Sequence, residues 1–435
     1  MILAMRYHIW TEGCQMNEAD SAKLAAGLQK LGYQEVSRPE EADLAVVNTC
    51  VVRQKAEDKA ISYLGYLKYL KQRRKPSLRI AVMGCLVGPK ADDLKARFPF
   101  VDIWARPQDF DTILRALVPE DDLGGEFWPQ TFPEPKGPTA YVPVIHGCNK
   151  FCTYCIVPFR RGRERSRPIE EVRREVEYLC ARGVKEVTLL GQTVEAYGKD
   201  LPDRPDLADL MAAIHDTPGL VRIRFLTSYP KDMTAKIVEA VAQLPKVCEY
   251  FNIPVQSGDD RVLARMRRGY TVAEYLEKVE LVRRLVPGAA ITTDVIVGFC
   301  GETEEEFQHT LDLLRQVRFD KVHVAAYSPR PGTYAWRRME DDVPPHEKMR
   351  RLHAVEELQE AIARQINQAL VGTVQEVLVE GERGGKMYGR TRTGKLVHFP
   401  SQASPGQLVK VRILHASPWS LQGEIAEAPS LVTAN

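Results

Sequence analysis

No stretch of the 435-residue sequence approaches the roughly 18 consecutive apolar residues of a membrane-spanning helix, so no membrane partner is expected. The opening residues MILAMRYHIWTEGC lack the basic-then-apolar order of a secretory signal, which points to a cytoplasmic protein. A strong excess of one charge is also missing. The net charge is only +2, so affinity for nucleic acid must come from local basic clusters rather than from a global field. No tandem repeat or low-complexity tract is evident, and a balance of 44% hydrophobic to 27% charged residues is ordinary for a globular chain of roughly three domains. Cysteine, in contrast, is plentiful. Nine of them, an odd number without an export signal, argue for reduced thiols and metal ligation over a disulfide framework.

Residues 1–118 alternate strand-like and helix-like segments: 7–11, a helix over 20–31 stopped by Gly32, 43–47, a second helix, and 79–83. This βαβαβ pattern predicts an open parallel α/β domain. A linker rich in proline, glycine and acidic residues is expected over 119–138. Six strand-like segments follow, at 142–145, 184–190, 221–226, 250–255, 291–297 and 322–327, with helical patterns between them at 168–180, 207–215, 233–244 and 304–314. Six βα units over 139–368 predict an α/β partial barrel of (β/α)6 type whose site lies at the carboxyl ends of the strands. A charged helix is expected over about 346–370. Over 369–435, short strand-like segments at 373–379, 395–399, 408–414 and 420–424 predict a small all-β barrel.

Cys148, Cys152 and Cys155 form a C-x3-C-x2-C triplet at the end of the first of those six segments. A cubane iron–sulfur cluster takes four ligands, so three thiolates leave one iron open to a small molecule. The alternative is structural zinc, which would need a fourth Cys or His; His146 is close by. Cys14, Cys50 and Cys85 each follow a predicted strand of the first domain, 36 and 35 residues apart. In an open parallel sheet the carboxyl ends share one edge, which makes a second three-thiol candidate. Its alternative is three unrelated buried cysteines. Cys180 and Cys248 read as core, and Cys300 falls just past a strand end.

A C-x3-C-x2-C triplet opening six βα units resembles the radical S-adenosylmethionine (SAM) superfamily. The motifs GCQMN (13–17), NTC (48–50), QKAEDK (54–59), GC (84–85), CIVPFRRGRERSR (155–167), IPVQSG (253–258) and SPRPGT (328–333) are similar, in order and over nearly the whole chain, to the methylthiotransferases. GCQMN, CTYCIVPFRRGRERSR and LLGQTVEAYG are most similar to the branch acting on N6-isopentenyladenosine in tRNA. Cys300, Thr193 and Leu86-Val87-Gly88 depart from that branch, which leaves threonylcarbamoyladenosine tRNA or a ribosomal protein as alternative substrates. A non-catalytic iron–sulfur RNA-binding or electron-transfer protein is the rival from another class.

The resemblance implies two [4Fe-4S] clusters and SAM as cofactors, and a carboxyl-terminal TRAM RNA-binding barrel. It implies exchange of C2–H for C2–SCH3 on the adenosine beside the anticodon, with two SAM per turnover. Cys148, Cys152 and Cys155 would hold the catalytic cluster, while Cys14, Cys50 and Cys85 would hold the cluster that keeps or delivers sulfur. Tyr154, Gln192, Ser228 and Gln256 are the candidate SAM contacts, although a strand-end Gln or Ser serves equally well as a loop cap. The expected partners are a tRNA anticodon stem-loop, a reductase or flavodoxin-type electron donor and a sulfur source, with the chain acting as a monomer.

Arg160, Arg161, Arg163, Arg165 and Arg167 follow the cluster loop with only Glu164 opposing them, a pattern suited to phosphate positioning or to a solvated helix entry. Lys386, Tyr388, Arg390, Arg392, Lys395, His398 and Phe399 interleave basic and aromatic residues, as in barrels that stack on unpaired bases. Arg160, Arg161, Arg163, Arg390 and Arg392 are the candidate RNA contacts.

Overall fold

The computed structural model describes residues 5–52, 54–89, 91–118, 132–400 and 402–426. Most of the expected linker, 119–131, lies outside the described residues. The chain divides into two compact units. Met1–Glu134, His146–Glu164 and Arg330–Thr333 form the first; Pro135–Ile145, Arg165–Pro329 and Tyr334–Asn435 form the second. The Cys148 loop, expected with the barrel, thus clusters with the amino-terminal residues.

In the first unit the elements run β1 (Arg6–Thr11), α1 (Gln15–Lys30), β2 (Gln34–Glu35), β3 (Leu44–Thr49), α2 (Gln54–Arg73), β4 (Arg79–Gly84), α3 (Asp92–Arg97), β5 (Ile103–Trp104) and α4 (Phe110–Arg115). The strands make one parallel sheet in the order β2-β1-β3-β4-β5. All six residues of β3 are buried because helices cover both faces of the sheet. Leu44 and Val46 pack with Leu24 and Leu28 of α1 on one side; Ala45 and Val47 pack with Leu64 and Leu67 of α2 on the other. Helix α1 begins at Gln15, five residues before the expected start, with Cys14 at its N-cap. Its first turns carry Asn17, which lies before the expected helix, and Asp20, its expected first residue; both are buried against partners from other segments.

Beyond it come β6 (Thr139–Pro143), β7 (Ile145–His146), α5 (Val157–Arg161), β8 (Arg165–Ser166), α6 (Ile169–Cys180), β9 (Glu186–Leu190), α7 (Leu207–His215), β10 (Arg222–Leu226), α8 (Ala235–Gln243), β11 (Tyr250–Asn252), α9 (Asp260–Arg265), α10 (Val272–Leu285), β12 (Ala290–Val297), α11 (Glu304–Val317), β13 (Lys321–Ala326), α12 (Tyr334–Arg338) and α13 (Pro345–Gln368). In the second unit β6, β9 and β10 are parallel, as are β11, β12 and β13. The two sets meet where the Ser228 N–H donates to Asn252 O at 3.0 Å and the Cys248 N–H donates to Ile223 O at 2.9 Å. Six parallel strands thus follow one another in chain order, as a (β/α)6 partial barrel requires; among the described residues no pairing joins β6 to β13. Apolar stripes on α6, α8 and α11 bury Val172 and Val176, Ile237 and Val238, and Phe307 and Leu314 against the strands.

The tail closes into a barrel, β14-β15-β16-β18-β17, from β14 (Val374–Arg383), β15 (Lys386–Thr391), β16 (Leu396–Phe399), β17 (Leu408–Ala416) and β18 (Leu421–Ile425). Strand β15 was not expected. Its inward positions are Met387, Gly389 and Thr391, too weakly apolar to signal a strand, and a Cβ on Gly389 would stand 2.0 Å from Leu378 O. Among the described residues no helix is long and apolar enough to cross a membrane.

Candidate functional site

Strands β1, β3 and β4 are adjacent, and their register pairs Thr11 with Asn48 and Thr49 with Gly84. Cys14, Cys50 and Cys85 therefore leave the sheet at one edge. The motif residues beside them hold the three loops together. Asn17 is fully buried and donates to Glu12 O and Thr49 O, both at 3.0 Å; Asn48 donates to Asn17 O at 2.8 Å and to Ser21 Oγ at 2.9 Å. Thr49 Oγ1 donates to Met83 O at 2.7 Å, and the Cys85 N–H donates to Thr49 O at 2.8 Å. Both glycines are required. Gly13 (φ +142°) would place a Cβ 2.9 Å from Cys50 Cβ, and Gly84 (φ +95°) would place one 2.5 Å from Thr49 O. Cys50 and Cys85 are buried and Cys14 is exposed. Burial pushes the Cys85 thiol up, and Arg161 pulls it partly back.

Cys148, Cys152 and Cys155 belong to the same unit. Gly147 (φ +76°) passes so close to the returning chain that a Cβ would meet Arg163 O at 2.0 Å. The loop is pinned by the Cys148 N–H to Gly162 O at 3.1 Å and by Asn149, whose backbone and side-chain N–H groups both donate to the Glu164 carboxylate at 3.0 Å. Burial pushes the Cys148 thiol up to about 11, so a metal must displace its proton on binding. His146 Nδ1 is engaged with Gln108 Nε2, a contact that supports the loop. Among the described residues no three His, Cys, Asp or Glu side chains are gathered tightly enough to hold a single metal ion. Thiolates around a cubane each bind a different iron, so a cluster does not require such a group.

In the second unit, Gln192, Ser228 and Gln256 stand just past β9, β10 and β11, as expected. Thr227 (φ +72°) and Gln256 (φ +76°) hold left-handed backbone, a strained state for non-glycine residues that recurs where chains meet ligands. Glu195, which the sequence reading passed over, is buried three residues beyond Gln192. Its Oε2 accepts from the Tyr229 N–H at 3.1 Å with the Ser228 hydroxyl beside it, while its Oε1 and Gln192 Oε1 are buried with no hydrogen-bond partner among the described residues. Native interiors leave few such atoms unpaired, so these strand ends suit a polar ligand. The available signal was a lone acid inside the apolar run Val194-Glu195-Ala196.

Burial raises the Glu195 carboxyl to about 7. The folded state thus holds a proton that the unfolded chain releases near its ordinary value of 4.5. Stability from this group is full below that value and is lost as pH rises toward 7 and beyond. Glu195→Gln is expected to match the parent at pH 4 and to exceed it at pH 8 by on the order of 3 kcal/mol, read as thermal midpoint against pH without SAM. A constant difference across that range would refute the assignment.

The five candidate RNA contacts differ in what their side chains do. Arg163 is exposed, its guanidinium 4.7 Å from the Phe151 ring centre, and Arg390 is half-exposed with Glu380 at 3.3 Å. Arg160 is half-buried and faces Cys85 and Glu57 electrostatically. Arg161 and Arg392 depart from a solvent-facing role. Arg161 is buried against Asp20, and Arg392 donates to the Glu249 carboxylate through Nε at 2.9 Å and Nη2 at 2.6 Å. Arg167, in the same run, is buried against Glu171 and Glu175. Arg330 of SPRPGT donates to Gln54 at 3.0 Å and approaches Glu57 at 3.4 Å, joining that motif to QKAEDK. Cys180, Cys248 and Cys300 are buried; Cys300 sits in the turn after β12 beside Tyr327.

Three family models match in chain order: uncharacterized protein family UPF0004 over residues 6–106, the radical SAM superfamily over 142–314 and the TRAM domain over 368–426. A tRNA-2-methylthio-N(6)-dimethylallyladenosine synthase of Dehalococcoides mccartyi (strain CBDB1) is 48% identical over 96% of this chain and 98% of its own. A protein of that name from Chloroflexus aurantiacus is 47% identical over 96% and 91%. The chain belongs to their family, the radical-SAM methylthiotransferases. Among solved structures, the radical SAM methyltransferase TsrM of Kitasatospora setae, with cobalamin and a [4Fe-4S] cluster bound, matches at a TM-score of 0.55 and 13% identity over 88% of this chain and 80% of its own. That likeness concerns the fold. The family's three-domain order is the one that the strand pattern and motifs predict.

Proposed function

We infer that the protein converts C2–H of N6-isopentenyladenosine beside the anticodon of tRNA to C2–SCH3, using two SAM per turnover. The observation that carries this reading is the presence of two separate three-thiol groups, Cys14, Cys50, Cys85 and Cys148, Cys152, Cys155, in one compact unit. One triplet would suffice to cleave SAM; a second offers a place to hold the atom that is inserted. When bound, the clusters supply the electron for SAM cleavage and a binding position for sulfur.

Cys148, Cys152 and Cys155 hold the first cluster, and Tyr154 of the same loop is a contact for SAM. Gln192, Glu195, Ser228 and Gln256 are the strand-end groups of the second unit proposed to hold its polar parts. The unpaired Glu195 Oε1 and Gln192 Oε1 suit an ammonium or hydroxyl donor, and a cation at Glu195 favours loss of its carboxyl proton. Arg163 and Arg390 are the proposed phosphate contacts, and the half-buried Arg160 is a further candidate. A reductase or flavodoxin-type donor and a sulfur source complete the reaction, and the chain works in the cytoplasm as a monomer.

Nucleosides from tRNA of wild-type and deletion strains, compared by mass spectrometry, test the substrate. The methylthio-isopentenyl nucleoside should disappear in the deletion strain and return with the gene. Its persistence in a strain without a second synthase would exclude the reading, and loss of a methylthio-threonylcarbamoyl nucleoside would move the substrate to that branch.

A further inference from the structure

Arg161 is placed where an RNA phosphate would not meet it. Its side chain is only 2% exposed and that of Asp20 only 1%, with Asp20 Oδ2 at 2.9 Å from Arg161 Nη2. The same Nη2 donates to Asn17 Oδ1 at 2.8 Å, and Cys14 Sγ stands 3.8 Å from that oxygen. The Cys85 thiol lies beside the guanidinium and is hydrogen-bonded by it. Nη1 is buried with no hydrogen-bond partner among the described residues.

An N–H of a buried guanidinium is costly to leave unmade. Asp20 and Asn17 hold Nη2 and fix the orientation of the group, and the two N–H groups of Nη1 are left over. A further anion beside three thiolates adds negative charge that the cluster irons offset only in part, and a neighbouring cation lowers the remaining repulsion. Arginine keeps its charge at any working pH and donates in a fixed fork, which suits this task better than lysine.

We propose that Arg161 is a positioning residue whose Nη1 receives a small anionic sulfur ligand, a sulfide or thiolate, carried at the open position of the cluster on Cys14, Cys50 and Cys85. This rests on the reading of that triplet as a cluster site. It also assigns a task to the segment after the catalytic triplet: α5, which begins two residues after Cys155, carries the cation that serves the other triplet.

The test uses the full chain with Cys148, Cys152 and Cys155 all replaced by alanine, so that only the other cluster remains. The cluster is reduced to its paramagnetic 1+ state with dithionite, and its electron paramagnetic resonance spectrum is followed during titration with hydrosulfide and, separately, methanethiolate. Either anion should shift the spectrum, and whichever binds more tightly identifies the sulfur species. In R161Q the affinity should fall about 10- to 100-fold at unchanged iron content, and R161K should be intermediate. R161Q leaves Asp20 buried and unpaired, so the companion variant R161Q/D20N removes both charges and should show the same loss. Wild-type affinity in either variant at full iron content overturns the proposal. Loss of iron from R161Q, R161K and R161Q/D20N alike also overturns it, because Arg161 would then be structural. A parent protein that holds no iron overturns the cluster reading itself, and the proposal with it.

Discussion

Cys148→Ala abolishes SAM cleavage, whereas Cys50→Ala still cleaves SAM and makes no methylthio product. This is the expected result for two triplets with separate tasks. Both thiols are buried, and truncation of either removes one sulfur, a packing loss on the order of 1 kcal/mol that the fold can absorb. The losses in chemistry should be far larger, down to background in each affected assay. The two readouts are 5′-deoxyadenosine and methylthio-nucleoside, measured on the same preparations with iron content as control. Repeated turnover to methylthiolated RNA by Cys50→Ala would remove the sulfur role from the second triplet.

Arg224→Met is expected to cost about 3 to 5 kcal/mol, although the residue is far from any cysteine triplet in sequence. Within the second unit, Arg224 donates to Glu186 Oε1 at 2.7 Å and to the carbonyls of Thr391 and Arg392 at 2.6 Å. Arg222, fully buried, donates to Arg390 O at 2.8 Å and to Glu376 Oε1 at 2.8 Å. Lys395 pairs with Asp320 at 2.6 Å, and a Cβ on Gly394 would stand 2.9 Å from the Tyr250 ring. The turn between β15 and β16 is thus seated on the first residues of β9, β10, β11 and on the loop before β13. Methionine in place of Arg224 leaves the buried Glu186 with only Arg222, at 3.8 Å, and leaves two carbonyls without the donor they had.

The measurement is a denaturant or thermal midpoint, set against Arg390→Ala. That half-exposed residue should cost no more than about 1 kcal/mol while lowering the salt dependence of RNA binding by about one charge. Equal stability of Arg224→Met and the parent would show that the tail barrel is not locked by these groups. Arg392→Ala should behave like Arg224→Met rather than like Arg390→Ala, since its charge is committed to Glu249.

Most of the scaffold was legible. The parallel βα order came from alternating apolar runs and punctuating glycines, and β1, β3 and β4 fall within two residues of their expected limits. Three features escaped for local reasons. Helix α1 starts early because Asn17 and Asp20 are satisfied by segments remote in sequence. Strand β15 carries glycine at a central inward position. Glu195 is an ionisable residue inside an apolar run, and nothing in composition distinguishes a buried acid from a misplaced one.

The sequence by itself determined the class of chemistry, because the number, order and spacing of the six cysteines and their flanking motifs are properties of the covalent chain. Only the tertiary structure decided which charges are free. Arg161 and Arg163 look alike in sequence, as do Arg390 and Arg392, yet one of each pair is drawn in against a carboxylate while the other stays exposed, Arg390 with Glu380 beside it. The partners that decide this lie far away along the chain: Asn17 is 144 positions from Arg161, and Glu249 is 143 from Arg392. Whether a guanidinium faces water or a buried carboxylate depends on such contacts, and no local pattern encodes them.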